Sequence, residues 1–306
     1  MKTSTKHLIV ALAAMLAGSS CVEDFDMRVA KESSTRLVVD CLLTTELTAA
    51  STDNTVRLST SVPYGSSKRP EVGNAMVTLS DGDRTMLLEQ LEDSGIYQTP
   101  NDFRGEEGRT YTLTVDAELD GKPVHCTSSA TMPPKGIRAD AFDYYKMTDS
   151  LWVFAIWGQD EPGIISHYGA ELVVHGKRQP YSKWVFIDGS DMFDGNYLWD
   201  GEYLFYSCSS IMNPEGEGPG KPLERGDEVT LYFYTMEDFF YKWFTAMSTE
   251  SGAHFPMFSP QPANLPTNIE GGATGVFGLA NVTTMSLTIG DPDRTRIDML
   301  KDHAKF

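Results

Sequence analysis

The stretch from Gly226 to Ile289 constrains this chain most, because its periodicity changes twice along it. Val229, Leu231 and Phe233 alternate with Thr230, Tyr232 and Tyr234, a period of two that specifies a strand. Directly afterwards Phe239, Phe240, Trp243, Phe244 and Met247 recur at helical spacing and form one broad apolar face. Such a face must be buried, and the sheet that holds the preceding strand offers the nearest apolar surface. A loop rich in Pro, Asn and Gly follows from Gly252 to Gly275, and residues 281–289 return as a strand. The expectation is a β-rich domain that closes around a helix near residues 236–249, in which no residue looks catalytic.

Upstream, short strand-like segments repeat with turns between them. Residues 36–43, 55–62, 75–79, 84–89, 95–97, 109–119 and 124–131 all read this way, and Asp81-Gly82 and Asp120-Gly121 supply hairpin turns. Thr110, Thr112 and Thr114 alternate with Tyr111, Leu113 and Val115, as expected for a sheet with one wet face. Several short strands within about 100 residues suit an immunoglobulin-like β-sandwich. We place that sandwich at residues 35–133. Met132-Pro133-Pro134-Lys135-Gly136 is a stiff joint, and a second, β-rich domain with one packed helix is expected over residues 137–300. Its further strands lie at 150–157, 167–175, 183–187 and 202–207, and the charged tail after Gly290 is expected to end on the surface. The fold class is mainly β.

The first twenty residues read differently. Lys2 and Lys6 precede an apolar run from Leu8 to Ala17, then Gly18-Ser19-Ser20 and Cys21. A basic start, a short apolar core and small residues before a cut site make residues 1–20 a secretory signal peptide. The apolar run is about half the roughly 20 residues needed to span a bilayer. A cysteine placed directly after the small residues resembles a lipobox, which makes Cys21 the expected lipidated first residue; a secreted protein with a chance cysteine is the alternative. Acyl chains contribute about 0.8 kcal/mol per buried CH₂, so multiple acylation would anchor the chain durably. Residues 21–34 form the tether, and Glu23, Asp24 and Asp26 make its start acidic.

The leader carries two lysines and no acid, so removing it takes the formal charge from −18 to −20. A field of that sign repels phosphates, which excludes nucleic acids as natural partners. With Cys21 lipidated, Cys41, Cys126 and Cys208 remain. Cys41 and Cys126 sit in strand-like text near the two ends of the first domain, so a bridge and two buried thiols both stay open. No cysteine has metal-site spacing.

Two sets of side chains crowd residues 184–202. Asp188, Asp191, Asp194, Asn196 and Asp200 offer oxygen ligands of the kind calcium takes, although the spacing fails the EF-hand rule and a solvated acidic turn is the simpler reading. Trp184, Tyr197 and Trp199 offer rings that could stack on a sugar or another flat ligand. Strand aromatics are more often core. Asn268-Ile269-Glu270-Gly271-Gly272 has the look of an anion cradle, but no basic residue adjoins it, and glycines that pass tightly over the helix explain it more simply. His167 and His175 would lie about 26 Å apart on one strand, too far to share a metal. No HExxH, GxSxG or declared Ser/His/Asp set occurs. The chain is read as a non-enzyme without a cofactor, calcium excepted.

The opening VVDCLLT, the hairpin VTLSDG, the strand at Gly108–Val115 and the segment NIEGGATGVFG together resemble one family, the Bacteroidota outer-membrane lipoproteins catalogued as domain of unknown function 4249. Two departures stand out. Cys41 occupies a position where glycine is expected, and Ala273-Thr274 interrupts the glycine segment. The resemblance implies a surface or periplasm-facing lipoprotein of the outer membrane working beside a TonB-dependent transporter, and the acidic residues after Cys21 resemble a signal for display on the cell surface, the expected face. It supplies neither ligand nor catalytic residue. Two other readings compete with accessory binding or docking: a cell-surface glycan-binding or glycan-cleaving protein that uses residues 184–202, and a structural surface protein.

Overall fold

A computed structural model of the chain describes residues 35–48, 54–62, 68–92, 94–160, 162–163, 166–178, 185–189, 204–208, 220–250 and 265–303. The predominance of strands expected from periodicity is present. The first part holds β1 (Leu37–Thr44), β2 (Thr55–Thr60), β3 (Met76–Ser80), β4 (Thr85–Leu87), β5 (Glu89–Gln90), β6 (Ile96–Gln98), β7 (Thr110–Leu119) and β8 (Lys122–Thr131). After the proline joint come β9 (Ile137–Thr148), β10 (Leu151–Asp160), β11 (Ser166–Val174), β12 (Lys177–Arg178), β13 (Val185–Gly189), β14 (Leu204–Ser207) and β15 (Glu228–Met236). Helix α1 (Asp238–Glu250), β16 (Thr274–Thr288) and helix α2 (Arg296–Asp302) complete the chain.

One nine-stranded sheet runs through both parts, in the order β12-β11-β15-β16-β1-β2-β6-β5 with β13 also paired to β11. A four-stranded sheet, β4-β3-β7-β8, and a three-stranded sheet, β14-β10-β9, accompany it. The strand that unites the large sheet is β16. Its first half lies parallel to β1, from Val38↔Thr274 to Thr44↔Ala280. Its second half lies antiparallel to β15, from Met236↔Ala280 to Glu228↔Thr288.

Alternation along β16 then assigns the layers. Phe277 and Leu279 enter the core shared with the four-stranded sheet, alongside Val39, Cys41, Leu113 and Cys126. Met285 and Leu287, of the same parity, pack on the core shared with the three-stranded sheet, alongside Phe154, Tyr168 and Phe233. The two smaller sheets therefore cover the same face of the large one. Val276, Ala280 and Val282 have the opposite parity and meet Phe240 and Phe244 of α1 on the other face.

Two expectations change as a result. The joint at residues 133–137 separates two cores but not two independent domains, because from Thr35 onward the chain is one compact unit and β16 serves both cores. The joint itself is pinned: Asn281 Nδ2 donates to the Pro133 carbonyl at 3.3 Å, Gly136 N to Thr235 Oγ1 at 3.2 Å, and the Tyr168 hydroxyl to the Gly136 carbonyl at 2.7 Å. The apolar face of α1 lies on the sheet as its spacing requires, but the main C-terminal core sits on the opposite face, so the domain does not close around the helix. The charged tail is largely exposed, as expected, but it is ordered into a short helix. Thr295 and Asp298 form a reciprocal capping box that starts α2, and Met299 is buried with Tyr145, Val153 and Trp157 on the outer face of the three-stranded sheet.

The sandwich core depends on residues distant in sequence. Ile269, Ala273, Phe277 and Leu279 all belong to it. Burying each of the three larger side chains contributes about 1.5–3 kcal/mol, a sum comparable with the net stability of a whole domain. Cys41 and Cys126 are both buried there as free thiols, and Cys208 is free as well. Of the two possibilities that the sequence leaves open, the structure shows unpaired thiols.

Candidate functional site

Cys21, Trp184, Asp191, Asp194, Asn196, Tyr197, Trp199 and Asp200 lie outside the described residues. Asp188 is described through its backbone alone: it belongs to β13, opposite His167 of β11. The chain leaves the nine-stranded sheet at Gly189 and enters the three-stranded sheet at Leu204. The candidate aromatic and acidic stretch is thus bounded by strands of two different sheets.

The face of the sheet that carries α1 holds a polar cluster. Alternation along β11 puts His167, Glu171 and Val173 on that face. The Glu171 carboxylate is buried, with its side chain 0% exposed. Arg178 grips it through Nε at 3.0 Å to one oxygen and through Nη2 to the other, while the Tyr234 hydroxyl donates to it at 2.6 Å. A guanidinium fork of this kind fixes the carboxylate as an acceptor. At the other end of β11, His167 stacks on Tyr241 of α1 with centroids 4.4 Å apart and planes 10° apart. Its Nε2 lies 3.1 Å from Asp238 Oδ1. Lys242, 2.6 Å from the other oxygen, is the main group holding the Asp238 carboxyl below the usual aspartate range, with His167 adding to it.

The other described histidines are paired in the same way. His125 Nδ1 lies 2.7 Å from Asp116 on the wet face of the β7–β8 hairpin. His175 sits past the end of β11 at φ +52°, 3.6 Å from Asp227, so it does not continue the strand face of His167. His303 stacks on Trp157 at 4.2 Å and shares Asp143 Oδ2 with Arg294, each at 2.8 Å. Each of these aspartates anchors a loop, a hairpin or a helix. Among the described residues no group of three His, Cys, Asp or Glu side chains is placed to hold a metal ion. Burial pushes the Cys126 thiol up to about 11 and the Cys41 thiol well above the ordinary range, the reverse of what a nucleophilic cysteine needs.

The glycine-rich segment does its work by close packing. The Asn268 side chain donates to the Phe277 carbonyl at 2.8 Å and accepts from the Phe277 N–H at 2.9 Å. The Asn268 carbonyl accepts from Ser128 Oγ at 2.8 Å. Glu270 exchanges both backbone hydrogen bonds with Thr127 of β8, so its N–H is committed and cannot cradle an anion. A Cβ on Gly271 would collide with the His125 carbonyl, one on Gly275 with the Val39 carbonyl, and one on Gly278 with the Phe240 ring. Only Gly278 therefore serves the helix, as the sequence suggests; Gly271 and Gly275 serve β8 and β1. The segment ties the four-stranded sheet, the large sheet and α1 together.

Sequence reasoning misses Glu171, Arg178 and Tyr234. They are far apart along the chain, and alternation alone gives each a face but not a partner. Chemically, the described polar groups are suited to holding structure and to hydrogen bonding, with no activated nucleophile among them. No helix among the described residues is long and apolar enough to cross a membrane.

Among solved structures, a two-domain fibronectin type-III segment from chicken tenascin aligns with 66% of this chain and 91% of its own, at 15% identity and a TM-score of 0.18. The FN1–FN3 domains of chicken CNTN1 align with 65% and 60%, at 6% identity and a TM-score of 0.26. Superpositions this loose add nothing to the fold described by the strand pairing. No curated protein matches the chain. The segment that binds the two cores together is the same NIEGGATGVFG text on which the family resemblance rests, and the match extends far beyond it: the chain belongs to the family described as Domain of unknown function (DUF4249), whose model covers residues 22–286.

Proposed function

We propose that the chain is a lipid-anchored, non-catalytic protein of the outer membrane that acts as an accessory to a TonB-dependent transporter, either by binding a ligand or by docking. The observation that carries this reading is the chain's start: a basic and then apolar stretch runs into Gly18-Ser19-Ser20-Cys21, and the family model begins at residue 22, directly after that cysteine. The β-built body and the structural pairing of the described histidines support a binding role over chemistry. Acidic residues after Cys21 favour the cell surface over the periplasmic face. Solubilising native membranes and purifying the protein without crosslinking tests the partner: a TonB-dependent transporter is expected in the eluate, and recovery as a lone monomer contradicts the reading.

A second reading is motivated by the density of rings and carboxylates between β13 and β14. On it, Trp184, Tyr197 and Trp199 hold a glycan, with calcium bound by Asp188, Asp191, Asp194, Asn196 and Asp200. Replacing Tyr197 and Trp199 by Ala would then abolish retention on immobilised glycans, and added chelator would weaken it. Unchanged retention by the variant removes this site.

A further inference from the structure

We propose that residues 268–280 act as a donor strand supplied in cis, so that the N-terminal sandwich stays open until the last quarter of the chain has arrived. Three observations converge on this ordering. First, β1 has two sheet neighbours, β2 and β16, and without β16 the whole of Val38–Thr44 is left as an open edge. Second, Ile269, Ala273, Phe277 and Leu279 fill the same core as Val39, Cys41, Tyr111 and Cys126, so the two facing sheets enclose a void until those side chains enter. Third, the two sheets of the sandwich are joined along one side by this segment: Glu270 bonds to Thr127 of β8, and the next residues run directly into the parallel pairing with β1.

The second core also takes Met285, Leu287 and Ile289 from the continuation of the same segment, but part of it is built from a local hairpin. Its strands β9 and β10 are joined by a two-residue turn, Asp149-Ser150, and pair locally. Local hairpins form before parallel pairings that need long loop closure. The order of folding then departs from the order of synthesis: the β9–β10 hairpin forms before β15 pairs with β16, and the sandwich, made first, closes last. β16 carries the information from one core to the other, because the residues after Ala280 are in the second core while those before it close the first. This ordering follows from chain connectivity and holds wherever the chain is made.

Pulsed hydrogen exchange during refolding of the mature full chain tests it. Amides of β1 are expected to gain protection together with, or after, those of residues 274–280, which pair with it, whereas the β7–β8 hairpin is as local as β9–β10 and gains protection early. Protection of β1 before residues 274–280 would overturn the proposal, and this outcome needs no variant. Asn268→Ala adds a second arm. It is expected to delay protection of β1 by about tenfold while leaving the β7–β8 and β9–β10 hairpins unchanged. No delay, or an equal delay of every strand, counts against a donor strand.

Discussion

Asn268 and Phe277 hold each other by two hydrogen bonds, the side-chain amide of one replacing a strand opposite the backbone of the other, at 2.8 and 2.9 Å. Through this pair the chain turns from the edge of β8 into β16, and the two cores come to share a sheet.

Asn268→Ala leaves a partly buried N–H and carbonyl of Phe277 without these partners. The expected loss is about 2–3 kcal/mol of stability, measured by urea denaturation of the mature chain. A loss below about 0.5 kcal/mol would mean that the pair is incidental.

The glycines of the segment divide by environment. Gly275 has φ +113° and no room beside the Val39 backbone, so Gly275→Ala is expected to cost about 3 kcal/mol or more. Gly278→Ala presses on the Phe240 ring, which can shift, and about 1–2 kcal/mol is expected. Gly290 faces open space with ordinary φ, and Gly290→Ala should stay within about 0.5 kcal/mol. Thermal or urea unfolding of the three variants side by side reads this ranking.

The same glycines explain where sequence reasoning stops. Alternation suffices for β7, β10 and β15, where one face is apolar and the other is wet or packed. It starts the last strand at Asn281, whereas β16 begins at Thr274, because Gly275 and Gly278 carry no side chain to alternate. Strand β9 is hidden by Arg138, Asp140, Asp143 and Lys146, charges placed along a strand that bulges opposite Trp157/Gly158. Helix α2 is seven residues long, too short for a periodic signal, although Thr295 and Asp298 spell its start. The parallel pairing of β1 with β16 joins the two ends of the chain, and no local pattern encodes it. The Glu171 cluster is a three-strand contact of the same long-range kind.

Arg178→Met removes the fork from a carboxylate that is out of reach of water, and a loss of about 3 kcal/mol is expected. Combining it with Glu171→Leu should return much of that loss, because the charge that needed a partner is gone. A double variant less stable than Arg178→Met would show that Glu171 matters for its other contacts instead. Denaturant unfolding of the two single variants and the double variant closes the cycle.

The buried thiols make stability depend on alkaline pH. The folded protein keeps the Cys126 proton up to about pH 11, against an ordinary value of 9.0, and burial likewise raises the Cys41 thiol well above that ordinary value. The unfolded chain releases both near the ordinary value, so their contribution is intact below about pH 9 and is lost as pH rises beyond it. The slope for one thiol is about 1.4 kcal/mol per pH unit. Urea unfolding between pH 8 and 11 should show the decline, and Cys126→Ala should make it shallower.

The five tryptophans, Trp152, Trp157, Trp184, Trp199 and Trp243, all lie after the proline joint, while Cys41 and Cys126 are buried in the sandwich core before it. The thiols report the sandwich core, and the described tryptophans report the packing outside it: Trp152 in the second core, Trp157 beneath α2 and Trp243 on α1. In the mature chain carrying Cys208→Ser, urea unfolding should be followed by tryptophan fluorescence and by thiol labelling in parallel. One strand shared by both cores predicts coincident midpoints; two separated transitions would contradict it.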